Sequence, residues 1–466
     1  MRTALVLTVA CLALLAPSAH AASVEQLERD VAELRRVVAT LQSQLEAVLR
    51  DAPPAESPLD RALREAEEGA AAPASSAASS AAPPPSRPWG RSDLRLIDIS
   101  LDVLTSAGAS TAENDLLLDL QGGGHDPRQR GFNLQAVELS FMGAVDPWLT
   151  GEVNLVYFLD EEGESQLEIE EAFATTQALP HDLQLEFGHF YTEFGRLNPR
   201  HPHAWTFSDQ PVILSRLFGP DGARNPGARL SWLAPVPWFA ELSLGSQLAR
   251  GETMLSYLAS DEAFDERPVG GLDFFDRDTQ SLNDLVWLAR LANGFDVGEQ
   301  WTAQLGLSGL FGPNASGPDG KTQVWGADLM AKWRPSRHRR GWPFLLFESE
   351  YLYRHYTTDE EPSTVGTLRD WGTYAQLLWG FRERWATGLR FEYASGSGDG
   401  VTPRSADPWR SDRLRLSSLV TFYQSELARW RVQYNYDRAR FDLDSDEHTF
   451  WFVLEFGFGA HPAHTL

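Results

Sequence analysis

His201 and His203 flank a single proline, so their imidazoles could share one metal ion. Asp209 follows in the same stretch and could supply a third ligand, and zinc is an ion that such nitrogen and oxygen donors bind. The pair His461 and His464 is a second candidate. The alternative is that all of these are ordinary polar loop residues, because two imidazoles without a definite third ligand do not make a metal site. The sequence therefore requires no cofactor and leaves zinc open at His201 and His203.

Catalytic motifs and nucleic-acid-binding features are both missing from the sequence. It contains no G-x-S-x-G nucleophile elbow and no H-E-x-x-H motif. Cys11 is the single cysteine, which excludes a disulfide framework and a Cys-rich zinc site. The formal net charge of −25 argues against nucleic acid as a partner, because binding phosphate needs a basic surface. We predict that the protein is not an enzyme.

The first 92 residues are predicted to form three segments. Residues 1–21 resemble a secretory signal peptide, with Arg2 before an apolar stretch that ends in an A-x-A cleavage site. Residues 22–50 carry an apolar heptad repeat, typical of a coiled coil, with a lone amphipathic helix as the alternative. Residues 51–92 are rich in Ala, Pro and Ser, which predicts a flexible linker. After the signal peptide, no apolar run reaches the ~18–20 residues of a spanning helix.

From residue 93 onward, apolar and polar residues alternate with a period of two. About sixteen such segments follow one another, each long enough for the ~9–11 residues of a tilted membrane-crossing strand. Tryptophans cluster near the segment ends, as in an interfacial girdle. Short turns alternate with long connections, which a soluble sandwich or propeller would not need. The predicted fold is all-β, a transmembrane antiparallel β-barrel of about 16 strands over residues 93–466 behind an N-terminal coiled-coil helix. The long connections are 105–130, 195–226, 248–282, 356–369 and 397–411.

The polar faces of these strands are expected to line the lumen of the barrel. Acidic positions outnumber basic ones there, and they concentrate in the earlier strands, whereas most bases belong to the later strands. Because rings of carboxylates favour cations, we expect a weak cation preference. The predicted pore-lining residues are Asp98, Asp102, Glu138, Glu152, Glu170, Arg229, Asp328, Lys332, Glu348, Glu350, Arg390, Glu392 and Arg415.

The connection 195–226 follows the fifth predicted strand and is the third outer loop of the predicted barrel. Its mixed charges and several prolines suit a stiff loop that folds inward and narrows the pore. The alternative is a surface cap that never enters the lumen. The residues predicted to form this constriction are Arg196, Arg200, His201, His203, Asp209 and Arg224.

Five short motifs resemble a known group of barrels. The stretch 135–147 (QAVELSFMGAVDP) is similar to the second strand and turn of the phosphate-selective porin O/P group. The stretches 170–173 (EEAF), 188–190 (GHF), 195–203 (GRLNPRHPH) and 458–464 (FGAHPAH) are closer to a subfamily often labelled zinc-regulated TonB-dependent outer membrane receptor. Two features depart from these groups. The N-terminal region is too short and coil-like for a plug domain, and only Lys321 and Lys332 are lysines, too few for a phosphate-binding ladder.

Taken together, the residues and the resemblance predict an outer-membrane porin that lets small hydrophilic solutes or ions diffuse passively. The alternative is a substrate-specific or zinc-linked outer-membrane uptake receptor. The expected partners are outer-membrane lipid and two further copies of the chain in a homotrimer, with no nucleic acid. The coil is expected in the periplasm, where it either trimerises the barrels or contacts peptidoglycan or another periplasmic partner.

Overall fold

The computed structural model describes residues 97–160, 163–359, 366–398, 407–440 and 444–459. These residues form one closed, antiparallel barrel in which each strand pairs with the next and the first strand pairs with the sixteenth. The predicted all-β barrel of about 16 strands is therefore confirmed. The predicted signal peptide, coiled coil and linker, together with His461 and His464, lie outside the described residues.

Sixteen strands and three short α-helices make up the regular structure of the described residues. The strands are β1 Asp98–Ser110, β2 Gly131–Ala144, β3 Leu149–Leu159, β4 Ser165–Thr176, β5 Leu183–Tyr191, β6 Arg224–Leu233, β7 Phe239–Leu248, β8 Leu285–Val297, β9 Trp301–Pro313, β10 Lys321–Trp333, β11 Phe344–Thr357, β12 Thr367–Arg382, β13 Trp385–Gly398, β14 Arg413–Ser425, β15 Ala428–Arg440 and β16 Asp444–Gly459. The helices are α1 Asn114–Leu120, α2 Val212–Phe218 and α3 Asp261–Glu266. No helix in these described ranges is long and apolar enough to cross a membrane.

The two-residue period of the sequence sorts the side chains between the two faces of the barrel wall. In β16, Phe450, Phe452 and Phe458 point outward and are exposed, whereas Trp451 and Val453 point inward and are fully buried. Register therefore matters, because a slip by one residue would exchange the two sets. An outer face of this kind suits the hydrocarbon of a bilayer.

Exposed tryptophans mark the ends of many strands on the outer face. Trp148, Trp238, Trp301, Trp379 and Trp385 lie beside short turns, and each is more than a third exposed. Aromatic rings at this level are typical of the interfacial girdle of a membrane barrel, since one end of the ring is apolar and the other tolerates water. This pattern agrees with the prediction of a girdle.

The connections alternate in length around much of the barrel, as the sequence predicts. Four of the five predicted long connections are the longest of the barrel, and they lie between β1 and β2, β5 and β6, β7 and β8, and β13 and β14; the fifth, residues 358–366 between β11 and β12, is shorter than residues 334–343 between β10 and β11. The first is shorter than predicted because β1 extends to Ser110, where its ladder with β16 continues as far as Thr449. After β3, Asp160 accepts hydrogen bonds from the backbone N–H groups of Gly163 and Glu164.

Candidate functional site

The long connection between β5 and β6, residues 192–223, lies inside the barrel and is called the lumenal loop below. Its helix α2 is buried along its whole length. On the loop, Phe194, Ile213 and Leu217 belong to one apolar cluster with inward-facing Val324 of β10 and Leu352 of β11. An apolar face that packs on the inside of the wall fixes the loop there, since leaving it in water would expose several large side chains.

The tip of the lumenal loop is bound to a row of arginines on β13 and β14. Asp209 is fully buried, and its two carboxylate oxygens accept hydrogen bonds from Arg390 at 2.5 Å and from Arg415 at 3.0 Å. Gln433 and Asn435 of β15 donate to the same carboxylate. Asp209 thus has no lone pair directed at the histidines, so the prediction that it is a third metal ligand is wrong. Its charge is neutralised by guanidinium groups instead.

Two more arginines on β15 bind the backbone of the lumenal loop. Arg429 donates to the carbonyl oxygens of His203 and Trp205, and Arg431 also donates to that of Trp205. Both guanidinium groups pair with the carboxylate of Glu455 at 2.7 and 2.8 Å. The arginines on this side of the lumen therefore bind the lumenal loop and neighbouring acidic side chains.

Two arginines in the first part of the lumenal loop form ion pairs with an acidic side chain of β11. Arg196 and Arg200 each place a guanidinium nitrogen close to Glu348, at 3.2 and 3.1 Å. The neighbouring carboxylate of Glu350 accepts the backbone N–H groups of Arg196 and Leu197. Two of the three predicted constriction arginines, Arg196 and Arg200, thus hold the loop against β11.

His201 and His203 face carboxylates on β2 and β4. Nδ1 of His201 lies 2.8 Å from Glu170 and 3.2 Å from Glu138, and its Nε2 lies 2.8 Å from Glu171. Nδ1 of His203 lies 2.8 Å from the second oxygen of Glu138. The two imidazoles are stacked, with ring centroids 5.7 Å apart. This group of His201, His203, Glu138, Glu170 and Glu171 is called the His/Glu cluster below.

Burial disfavours the charged form of both imidazoles in the His/Glu cluster. The carboxylates of Glu138 and Glu170 outweigh that effect and hold the pKa of His201 well above its usual value. For His203, burial is likewise outweighed by Glu138, and the pKa is raised. In both imidazoles the neighbouring carboxylates thus favour the protonated form.

A β-bulge in β4 places two successive carboxylates in the lumen. In the ladder with β3, Asn154 is opposite Glu171 and Leu155 is opposite Ile169, so Glu170 has no partner. Both Glu170 and Glu171 consequently point inward and are buried, whereas Ile169 is exposed on the outer face. Bulges of this kind redirect side chains next to functional sites.

A second bulge lies two strands away, in β2. The register between β1 and β2 shifts at Leu104 and Thr105, which leaves Gln135 as the extra residue. The Gln135 side chain donates to the carbonyl oxygen of His125, whose ring lies 3.6 Å from Glu170. Both bulges thus adjoin the His/Glu cluster.

The predicted pore-lining residues all belong to the strand faces that point into the barrel. Most of them are buried by the lumenal loop or by neighbouring side chains, and four are half-buried. The buried ones are Asp102, Glu138, Glu170, Asp328, Glu348, Glu350, Arg390, Glu392 and Arg415, and the half-buried ones are Asp98, Glu152, Arg229 and Lys332.

Arg224 was predicted to belong to the constriction loop, and that prediction is wrong. It is the first residue of β6, where its backbone pairs with Tyr191 of β5. Its guanidinium donates to Glu168 and to the hydroxyl of Tyr191. β6 begins three residues earlier than alternation alone indicated, so it includes this arginine.

Strict alternation missed two groups that complete the His/Glu cluster. Glu171 follows Glu170 directly, so a two-residue period places one of them outside, and only the bulge brings both inside. Tyr191, at the end of β5, donates its hydroxyl to Glu170 at 2.6 Å and its backbone N–H to Glu171 at 3.0 Å. Adjacent glutamates inside an alternating segment were the one available signal.

Comparison with known proteins gives one clear relative and several barrels of similar fold. No protein-family model matches the chain. The outer membrane channel DcaP of Acinetobacter baumannii has a TM-score of 0.52 and 12% identity, covering 78% of this chain and 97% of DcaP. An anion-selective porin from Comamonas acidovorans has a TM-score of 0.49 and 8% identity, covering 78% of this chain and 99% of that porin. At such identity, the likeness to DcaP shows a shared barrel fold.

A protein of Aquifex aeolicus (strain VF5), described as an uncharacterized protein, is 31% identical over 364 residues. The match covers 73% of this chain and 72% of the Aquifex protein. A likeness of that extent marks common descent over most of both chains. The chain belongs to the same family as this Aquifex aeolicus protein.

Proposed function

We propose that this protein is an outer-membrane porin through which small hydrophilic solutes or ions diffuse passively. The single observation that carries the proposal is the lumenal loop, which enters a closed barrel of sixteen strands and is bound to opposite walls. A barrel of this size encloses a lumen wide enough for water. A loop that is fixed inside the lumen narrows the passage for solutes while the barrel stays closed. The loop then acts as the constriction.

A weak preference for cations follows from how the charges are paired. The arginines of β13 to β15 already contact acids or loop carbonyls, as with Arg415 and Asp209 or Arg431 and Glu455. Glu152 of β3 and Glu241 of β7 point inward, and their hydrogen bonds come from the neutral side chains of Asn154 and Ser243. Carboxylates with neutral rather than cationic partners attract cations along a water-filled path.

Single-channel recording in planar bilayers tests the proposal directly. The purified full-length protein is expected to give stepwise conductance, with a reversal potential in a salt gradient that has the cation sign. A variant in which residues 205–218 are replaced by a short Gly/Ser segment removes α2 and is expected to conduct several times more current. A variant in which the exposed residues 336–340 of the turn between β10 and β11 are replaced by the same kind of segment is the control and should conduct like the wild type. Absence of conductance from wild type and loop variant alike would exclude a porin.

The second candidate is a substrate-specific or metal-linked uptake protein. The observation that favours it is the His/Glu cluster, which places titratable and ligating groups on the loop that would control passage. A closed wild-type channel that opens in the loop variant would support this candidate. The finer resemblance to the phosphate-selective group and to the zinc-regulated subfamily belongs with it as a proposal.

Assembly is proposed separately from conduction. We propose a homotrimer in outer-membrane lipid, with the heptad segment 22–50 in the periplasm. Light scattering of the detergent-solubilised protein, with and without that segment, measures the number of chains. Loss of the trimer on deleting the segment assigns trimerisation to the coil, whereas an unchanged trimer assigns the coil to contacts with peptidoglycan or another periplasmic partner.

A further inference from the structure

We propose that the His/Glu cluster binds one divalent transition-metal ion, of the zinc class, through Nδ1 of His201 and the carboxylates of Glu138 and Glu170. The three ligands come from different parts of the chain: the lumenal loop, β2 and the bulge of β4. The site does not depend on whether the barrel conducts. If the metal binds, it would cross-link the loop to the wall at this point.

The distances between the ligand atoms fit an ion of this size. In a tetrahedral zinc site with bonds of about 2.0–2.2 Å, neighbouring ligand atoms lie about 3.3–3.5 Å apart. Nδ1 of His201 lies 2.8 Å from the Glu170 oxygen and 3.2 Å from the Glu138 oxygen. Ligand atoms of all three residues lie within 4.8 Å of one another. If the ligand atoms move apart by a few tenths of an ångström, an ion of this size therefore fits between them.

Two acceptors meet the same ring nitrogen of His201, which is unusual for an ordinary ion pair. A single N–H directs its proton at one oxygen, whereas Glu138 and Glu170 both approach Nδ1. A divalent cation between the three atoms interacts with both carboxylates at full strength. Two carboxylates and one neutral imidazole also balance its formal charge, and zinc-class ions take mixed nitrogen and oxygen ligands.

Outer contacts hold each ligand in position, as in established metal sites. Glu171 accepts from Nε2 of His201 at 2.8 Å, which fixes the tautomer that leaves Nδ1 free to ligate. Tyr191 donates to the Glu170 oxygen that faces away from His201, at 2.6 Å. The second oxygen of Glu138 faces His203 at 2.8 Å. Carboxylate–histidine–metal chains of this form orient ligands and raise their basicity.

A neighbouring group of His125, Glu168 and Asp221 also has three possible ligands within reach of one another. Arg224 donates a hydrogen bond to Glu168 there, whereas it lies beyond hydrogen-bond distance of Glu170, at 3.7 Å. A guanidinium so close to the carboxylate repels a second cation and already neutralises Glu168. We therefore assign the metal to Glu138, Glu170 and His201.

Zinc titration of the full-length protein in detergent tests the assignment. The protein is first treated with a chelator, and binding of Zn²⁺ alone is then measured by calorimetry at neutral pH. We expect one ion per chain in the wild type and, for Glu170→Gln and His201→Gln, an affinity lower by at least about 100-fold, beyond the 10–100-fold effect of outer contacts. Glu241→Gln, the same change at an inward carboxylate on β7, is the matched control.

A second measurement keeps the test independent of how the variants fold. Zinc-edge X-ray absorption of the metal-loaded wild type should show a shell of nitrogen and oxygen ligands that includes imidazole. No stoichiometric binding by the wild type, unchanged binding by folded Glu170→Gln, or equal loss in Glu241→Gln would each overturn the proposal. A wild-type protein that conducts without binding zinc would refute the metal site and leave the porin proposal standing. A wild-type protein that binds zinc without conducting would support the metal site and count against the porin proposal.

Discussion

Asp209 and Arg415 form a buried ion pair, with 3.0 Å between Oδ2 and Nη1, although 206 positions separate them in the sequence. The pair joins the tip of the lumenal loop to β14, and Arg390 of β13 binds the other carboxylate oxygen. Both side chains are almost completely buried. The loop is thus fixed at its far end by charge, in addition to the apolar packing of α2.

Replacing Asp209 by Asn should release the loop tip. The change removes the carboxylate that Arg390 and Arg415 share, while each guanidinium keeps a second acid, Glu392 and Asp437 respectively. We therefore expect a loss of stability below the about 3–5 kcal/mol that breaking an isolated buried pair costs. We expect noisier and larger single-channel currents together with a lower unfolding midpoint in denaturant. Asp319→Asn, at an exposed aspartate between β9 and β10, is the control and should leave both quantities unchanged. Wild-type currents in a folded Asp209→Asn protein would contradict an anchoring role.

Substituting Gly195 with Ala should displace the start of the lumenal loop. Gly195 has a φ of +66°, and a Cβ there would lie 2.0 Å from a carboxylate oxygen of Glu350. That same carboxylate accepts the backbone N–H groups of Arg196 and Leu197, so moving it breaks two further contacts. We expect faster proteolysis of the loop in the folded protein and a stability loss larger than the ~1 kcal/mol of the backbone strain alone.

Gly298→Ala is the matched control for the Gly195 substitution. Gly298 lies in the turn between β8 and β9 with a φ of +69°, and nothing lies within 4 Å of a Cβ built on it. It therefore reports the backbone strain without the clash. If the two variants lose the same stability and resist protease equally, the contact of Gly195 with Glu350 does not position the loop.

Ion preference should respond in opposite directions to two single substitutions in the lumen. Glu241→Gln removes an inward carboxylate on β7 and is expected to move the reversal potential toward the anion sign. Lys332→Gln removes an inward ammonium on β10 and is expected to move it further toward the cation sign, because rings of charge set selectivity. Reversal potentials in a salt gradient measure both shifts. Glu262→Gln, at an exposed residue of α3, should change neither, and shifts of equal sign would contradict the proposed path.

The period of two was enough to predict the number of strands and the face on which most side chains lie. The phenylalanines of β16 illustrate this, because alternation is a local property and a bilayer selects apolar residues on one face. Contacts across the lumen join residues that are far apart in the sequence, so alternation does not predict them. Nothing near Asp209 in the sequence indicates that its partners are Arg390 and Arg415, and its proposed role as a metal ligand failed for that reason.

The candidate site was predictable in part, because His201 and His203 were identified by spacing and Glu138 and Glu170 by alternation. Glu171 was not, since one extra residue in a strand reverses the face of every side chain that follows it until the register is restored. Bulges depend on the partner strand as much as on the bulged one. A sequence read one strand at a time does not contain that information.

Glu171→Gln should weaken zinc binding without abolishing it. Glu171 does not approach the proposed metal position, and it acts by accepting the Nε2 proton of His201 and a hydrogen bond from Asn154. Losing such an outer contact lowers metal affinity by about 10–100-fold while the stoichiometry stays at one ion per chain. Calorimetric titration beside Glu170→Gln gives the ranking, with wild type tightest, Glu171→Gln intermediate and Glu170→Gln weakest. A Glu171→Gln protein that binds zinc as tightly as the wild type would show that the imidazole is oriented by the loop alone, and one weaker than Glu170→Gln would make Glu171 itself a ligand.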